Sequence, residues 1–190
     1  MSLTKKDKEE IVEIIKHTLT TMKAGELAIE EGNKAQEIQM QIDKWNKNAI
    51  STGLGFKVAP TDFELDGNEY FTWDEAKEIE EKYLIPNGWR LPTTSEWYQL
   101  VGRFGIDEKG NDDAASFRDA LHMTLKGWRD DNGQLYHQGA FGSWWSTSAT
   151  ASDTARVLNM NATVLDPQSN YSKLDGFTLR CVSNFPEKEI

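Results

Sequence analysis

The chain changes character once, near residue 50, and that change decides what it can fold into. Residues 1–50 hold eight Lys and nine Asp or Glu, but only two glycines and one aromatic residue, Trp45; residues 51–190 hold 19 aromatics and 12 glycines. A segment this charged and this poor in rings cannot build a core of its own and reads as helix. The remainder, dense in aromatics and turn-forming residues, reads as a compact domain.

In the first segment Val12, Ile15, Leu19 and Met22 follow 3-4-3 spacing, with Ile11 and Ile14 widening the stripe, which is the period of an amphipathic helix. A second run, Ala28, Ala35, Ile38, Ile42, Trp45 and Ala49, fits heptad a and d positions with Glu31 interrupting. The two registers do not join, and Gly25 and Gly32 lie at the join, so a kink or a short helical hairpin is expected there. A narrow apolar stripe on a charged helix must be covered by its own domain, by a symmetry mate or by another protein. Val12, Ile15, Leu19, Met22, Ala35, Ile38, Ile42 and Trp45 are the candidate oligomer interface, with a trimer favoured and docking to a foreign protein as the alternative. Residues 1–50 are thus a helical oligomerisation or docking segment, 51–62, with Gly53, Gly55 and Pro60, a linker, and 63–186 the domain.

Within the domain, Asp66-Gly67-Asn68 between Phe63, Leu65, Tyr70 and Phe71 predicts a hairpin. Thr72 followed by Glu75, and Thr93 followed by Glu96, are capping boxes that open two helices, one running through Tyr83 and the other burying Trp97, Leu100, Val101 and Phe104. Beyond Lys126 the glycines and rings predict short strands and tight turns, ending in an extended stretch from Phe177 to Val182. Strand, helix, helix and then several short strands is an α+β order, an antiparallel sheet with helices on one side.

The 31 acidic against 21 basic side chains give a net charge of −10, which repels phosphate backbones and anionic lipid headgroups; neither nucleic acid nor membrane insertion is expected. Acidic residues stand where a secretory signal needs an apolar run, so the chain is expected to be made in the cytosol. A single cysteine, Cys181, excludes an intrachain disulfide and two-thiol redox chemistry.

Chemistry-bearing clusters are scarce. The three histidines, His17, His122 and His137, are scattered, so no metal site is expected. Asp130-Asp131-Asn132-Gly133 reads as a hairpin turn, with a calcium loop as the minority option. Ser143, Ser146 and Ser148 have no nucleophile elbow around them, and no carboxylate pair stands out in so acidic a chain. No cofactor is expected. Trp73, Trp89 and Trp97 read as core, whereas Trp128, Trp144 and Trp145 stay open between core and a ligand surface. Adjacent Trp144 and Trp145 must face opposite sides of a regular strand, so one is core and the other lies under a loop or on a ligand surface.

The ordered blocks Trp73-Asp-Glu-Ala76, Gly88-Trp-Arg-Leu-Pro-Thr-Thr-Ser-Glu-Trp97, Gly127-Trp-Arg-Asp-Asp-Asn-Gly-Gln-Leu-Tyr136, Gly139-Ala-Phe-Gly-Ser-Trp-Trp-Ser-Thr147 and Gly176-Phe-Thr-Leu-Arg-Cys-Val182 resemble the Fibrobacter succinogenes major paralogous domain, over roughly residues 70 to 184. The resemblance implies a C-type-lectin-like fold of short antiparallel strands and two helices, related to formylglycine-generating-enzyme-like domains and to retroelement-diversified variable proteins. The cysteine pair of the oxidases, the histidine set of the sulfoxide synthases and the calcium tripeptides of the sugar lectins are all missing here, so none of those activities carries over. If the diversified relatives are the guide, the ligand surface draws on Ser143, Trp144, Arg156, Asn159, Asn161, Asp166, Gln168, Asn170, Tyr171 and Lys173, with loops at Thr150 to Asp153 and Asp166 to Lys173.

A helical foot carrying a lectin-like head suggests a non-catalytic protein of a bacteriophage virion, a fibre, tail or decoration protein that recognises a glycan or protein on the host surface. A bacterial lectin-like binding or scaffold protein, at the cell surface or in the cytoplasm, is the second reading, and an enzyme with an unassigned site the third.

Overall fold

The structure, a computed structural model, describes residues 5–183; the expected domain end at residue 186 lies outside the described residues. Its first element is a 44-residue helix, α1 (Lys5–Asn48), that runs through Gly25 and Gly32 without interruption, so the expected hairpin between two registers is absent. Two glycines cost about 1 kcal/mol each, and propagation through a helix already nucleated on both sides of them offsets that amount.

The chain divides into two compact units, Met1–Gln39 and Met40–Ile190. In the first, Val12, Ile15, Leu19, Met22 and Ile29 are 47–66% exposed, and Ala35 is exposed too. Ile38, Ile42 and Trp45, expected on the same interface, are instead buried within the single chain. Trp45 meets Trp89 and Phe63 edge-on at centroid distances of 5.2 and 6.2 Å, and its indole N–H donates to Thr61 Oγ1 at 3.0 Å. The last turns of α1 therefore belong to the domain core.

So does the stretch expected as a linker. After α1, β1 (Ile50–Ser51) and β2 (Lys57–Val58) form a small antiparallel hairpin, and Phe56, Val58, Ala59 and Phe63 are all buried. Gly53 and Gly55 turn the chain with φ of +72° and +87°. The glycines that read as a hinge are the turn of a structured hairpin. The turn at Asp66–Asn68 forms, closed by Leu65 and Asn68 bonding reciprocally at 3.0 and 2.9 Å, but no hairpin strands follow it. Phe71 pairs with Phe177 instead.

Both capping boxes are present. Thr72 and Glu75 open α2 (Trp73–Ile79), which continues as one π-helical turn over Glu80–Leu84. Thr93 and Glu96 open α3 (Thr94–Phe104), on which Trp97, Leu100 and Val101 are buried. Just before it, β3 (Trp89–Arg90) places Arg90 so that its two terminal nitrogens reach both oxygens of Glu96, at 2.7 and 2.5 Å. Burial pushes the Glu96 carboxyl up, but the Arg90 hydrogen bonds and charge together with the Thr93 N–H outweigh it and hold the group below the ordinary carboxylate range. The Arg-Leu-Pro-Thr…Glu-Trp block is thus a structural device, a helix cap locked by a bidentate ion pair.

A short helix, α4 (Ala114–Ala120), follows, capped by Asp113, which accepts from Ser116 N at 3.0 Å. The remaining strands are β4 (Trp128–Arg129), β5 (Leu135–Tyr136), β6 (Gly142–Ala149), β7 (Thr154–Met160), β8 (Leu165–Ser172) and β9 (Val182–Ser183). Among the described residues the nine strands make three antiparallel sheets, β1-β2-β9-β3, β4-β5 and β6-β7-β8, so the architecture is α+β. The segment Asp166 to Lys173, expected as a loop, is for the most part β8; Pro167 is tolerated there because β8 is an edge strand. One core joins Trp97, Leu100 and Val101 of α3 to Phe117, Trp144, Leu158 and Leu165.

Inside the domain sits an ion pair. Arg180, 1% exposed, donates from Nε to Asp62 Oδ1 at 2.8 Å and from its terminal nitrogens to the carbonyls of Ala59, Leu121 and His122. The same Asp62 oxygen accepts from Trp144 Nε1 at 3.0 Å. Five hydrogen bonds around one buried guanidinium–carboxylate pair tie the approach to α2, the segment after α4, strand β6 and the C-terminal stretch together. Among the described residues no helix is long and apolar enough to cross a membrane.

Candidate functional site

The β6–β7–β8 sheet is used on both faces. Alternation turns Trp144, Leu158, Met160 and Leu165 toward the core and leaves Ser143, Trp145, Val157, Asn159 and Tyr171 on the opposite side. In the ladder Ser143 stands opposite Asn159, and Trp145 opposite Val157. The Trp145 end is closed, because its ring meets Phe177 edge-on at 4.7 Å and its N–H donates to Phe71 O at 2.7 Å. Both tryptophans of the pair are therefore fully buried, Trp144 in the main core and Trp145 under Phe177.

The other end stays open beneath the β4–β5 hairpin. Asp130 to Gly133 is the hairpin turn expected from the sequence: Trp128 pairs with Tyr136 and Arg129 with Leu135, and Asp130 Oδ1 accepts from Gln134 N at 2.8 Å and Asn132 N at 3.0 Å. Those N–H groups, Gln134 first, hold the Asp130 carboxyl below its ordinary range. Gly127 anchors the hairpin to the sheet, its N–H donating to Phe141 O at 2.7 Å. It has φ +76°, and a Cβ there would stand 2.0 Å from Tyr136 O, so only glycine fits.

Between hairpin and sheet lies a cleft of about 240 Å³ lined by Trp128, His137, Phe141, Ser143, Asn159 and Tyr171. Trp128 is held from behind, stacked on Tyr136 at 4.9 Å and 23°, and Tyr171 is held edge-on against Phe177 at 5.0 Å. The polar groups are linked in a row: Ser143 Oγ donates to Asn159 Oδ1 at 3.4 Å, and Asn159 Nδ2 donates to Tyr171 Oη at 3.2 Å. Burial first, then the carboxylates of Asp175 and Asp166, push the Tyr171 phenol up, so it keeps its proton at neutral pH and can donate it onward. Rings on two sides and a short polar row suit a small ligand with one apolar face and one hydroxylated edge. Ser143 is bonded to an amide, which has no basicity to take up its proton.

Of the residues expected on the ligand surface, Ser143, Asn159 and Tyr171 are brought together here. Asp166 and Gln168 line a second, more open groove of about 440 Å³ between α3 and β8. Asn161 folds its oxygen back onto Thr163 N and Val164 N, Arg156 donates to Gln168 O, and Lys173 lies over the Trp73 ring at 4.4 Å. Asn170 is exposed in β8 and lines neither cavity. Trp144 is enclosed in the core. His137 and Phe141 belong to the cleft without having been among the expected site residues, and Trp128, left open between core and ligand surface, lines it too. The only local signal for His137 is its left-handed backbone, φ +55°, which no sequence pattern announces. Among the described residues no three His, Cys, Asp or Glu side chains cluster where a metal ion would be held.

The sequence model of the Fibrobacter succinogenes major domain matches residues 12–183, most of the chain, and the chain belongs to that family. The match begins in α1, well before the motif blocks that carry the resemblance. No curated protein matches the chain.

Proposed function

We propose that this member of the Fibrobacter succinogenes major domain family is a non-catalytic binding protein, and that the cleft under the β4–β5 hairpin holds a single saccharide ring. The cleft carries the reading: Trp128, Phe141 and Tyr171 offer ring faces to the C–H side of a sugar, while Ser143, Asn159, His137 and the Tyr171 hydroxyl are placed for its hydroxyls. Its volume of about 240 Å³ falls just below the range of drug-sized sites, which favours one ring of a longer glycan. The mixed α+β domain, with two capped helices and short antiparallel strands, fits the C-type-lectin-like fold that we propose for it. On this reading the domain is the receptor-facing head and α1 the part that attaches it, a division of labour that suits a virion fibre or a bacterial surface protein.

The test is a glycan screen on the full chain, followed by titration of a hit into Trp128→Ala and Tyr171→Phe. Trp128 is only half-buried, so both variants are expected to fold. Loss of the stacking face should weaken binding by about two- to tenfold, since ring stacking contributes about 0.5–1.5 kcal/mol beyond burial. Binding indifferent to both changes would move the site elsewhere, and cleavage of a bound glycan would replace the non-catalytic reading with an enzyme.

A further inference from the structure

The outer part of α1 leaves a row of large apolar side chains in solvent, Val12, Ile15, Leu19, Met22 and Ile29, each at least 47% exposed. Placing Val12 and Ile15 at heptad positions a and d puts Lys16, Lys23, Glu30 and Glu37 at successive e positions, seven residues apart along one flank of the stripe. Two cations are followed by two anions. Residues 16 and 37 share their midpoint with residues 23 and 30, so turning the row end for end sets each lysine opposite a glutamate. The sequence extends the row with Glu9 and Lys44, which have the same midpoint and again opposite charges. The g flank, by contrast, reads Ile11, Thr18, Gly25, Gly32 and Gln39, with no charge at all.

These two flanks distinguish the ways a second helix can lie on the stripe. In a parallel pair or bundle, e residues meet g residues, and here every such meeting joins a charge to a neutral side chain. In an antiparallel pair, e meets e and g meets g. We infer that α1 pairs with α1 of a second copy of this chain, antiparallel and two-fold symmetric, with Lys16 facing Glu37 and Lys23 facing Glu30 in both directions. The g flanks then meet through Gly25 and Gly32, where nothing stands within 4 Å of a Cβ position, so the backbones have room to approach. Glu26 and Asn33 at a positions and Gln36 at a d position interrupt the apolar seam, which specifies register at a cost in stability. Lys16 also pairs with Glu13, and Glu30 with Lys34, each at 2.9 Å; both are exposed intrahelical pairs, weak enough to exchange partners. The inference concerns α1 alone and stands apart from the saccharide reading of the cleft.

The experiment is solution mass of the full chain by light scattering and sedimentation equilibrium at low salt, with helicity followed in parallel. A dimer is expected. Lys16→Glu with Lys23→Glu makes the four central e positions uniformly acidic and should raise the dimer dissociation constant by about tenfold or more; adding Glu30→Lys and Glu37→Lys to the same chain should restore the dimer. All four side chains lie on the outer helix, so domain unfolding should not change. Oxidation of mixed Lys23→Cys and Glu30→Cys chains should give a cross-linked pair that neither variant gives alone. A trimer, a monomer at every concentration, a mass indifferent to the charge reversals, or failure of the fourfold variant to re-pair would each overturn the antiparallel dimer.

Discussion

The two units of this chain are stabilised by opposite means. The outer part of α1 has the hydrogen bonds of its own backbone and local ion pairs such as Lys16–Glu13 and Lys34–Glu30, and it leaves its apolar stripe exposed. The domain is stabilised by contacts between residues far apart in sequence: Asp62 with Arg180, Trp144 with Asp62, Phe71 with Phe177. One α-helix serves in both regimes, because its last turns, at Ile42 and Trp45, are core. Local interactions make a region tolerant of single changes, whereas long-range networks make it cooperative and brittle.

The sharpest way to break that contrast is to strike the network. Asp62→Ala leaves the Arg180 guanidinium buried without its counter-charge and Trp144 Nε1 without an acceptor, and should cost about 3–5 kcal/mol in denaturant unfolding followed by tryptophan emission. Far-ultraviolet ellipticity from the outer helix should persist past that transition; loss of both signals together would show the units to be one cooperative system. Next in size is Gly127→Ala. A Cβ 2.0 Å from Tyr136 O at φ +76° forces the β4–β5 hairpin off the sheet, at about 2–3 kcal/mol, and should take ligand binding with it. An unchanged melting temperature there would mean that the hairpin is not fixed to the sheet as described.

What the sequence revealed follows the same line. Both capping boxes and the Asp130–Gly133 turn were legible because each is set within four or five residues. Residues 51–62 were not, because Gly53 and Gly55 look alike in a flexible linker and in a tight hairpin, and what separates the two is the pairing of Val58 with Val182. The heptad fit at Ile38, Ile42 and Trp45 was a true periodicity with a mistaken partner: the spacing shows that a face is covered, not by what. Ser143, Asn159 and Tyr171, named through the resemblance to diversified proteins, line one cleft because they share one face of a regular sheet. Trp128, His137 and Phe141 come from a hairpin and a loop folded over that sheet, and no period in the chain links the two. Trp144 misled because alternation promises one outward residue only when one face of the sheet is open.

A milder prediction tests the domain's local devices. The Glu96 carboxyl is held low, so the stability it contributes is fully present above the ordinary carboxylate range and is lost as pH falls through its depressed folded value. Glu96→Gln should remove about 1 kcal/mol at neutral pH, the usual worth of a cap, and should flatten the acid limb of the stability curve. An acid limb identical in the variant and the parent chain would place the acid sensitivity elsewhere.

The smallest effect comes from the same kind of change that is so damaging at Gly127. Gly25→Ala and Gly32→Ala fall in a helix interior with open space around each Cβ position, so each should stabilise α1 by about 1 kcal/mol, read as higher helicity at elevated temperature. If two copies approach closely through that glycine flank, the added methyl groups should also weaken the dimer while they strengthen the helix. Helicity and mass would then move in opposite directions, which a single isolated helix has no means to produce.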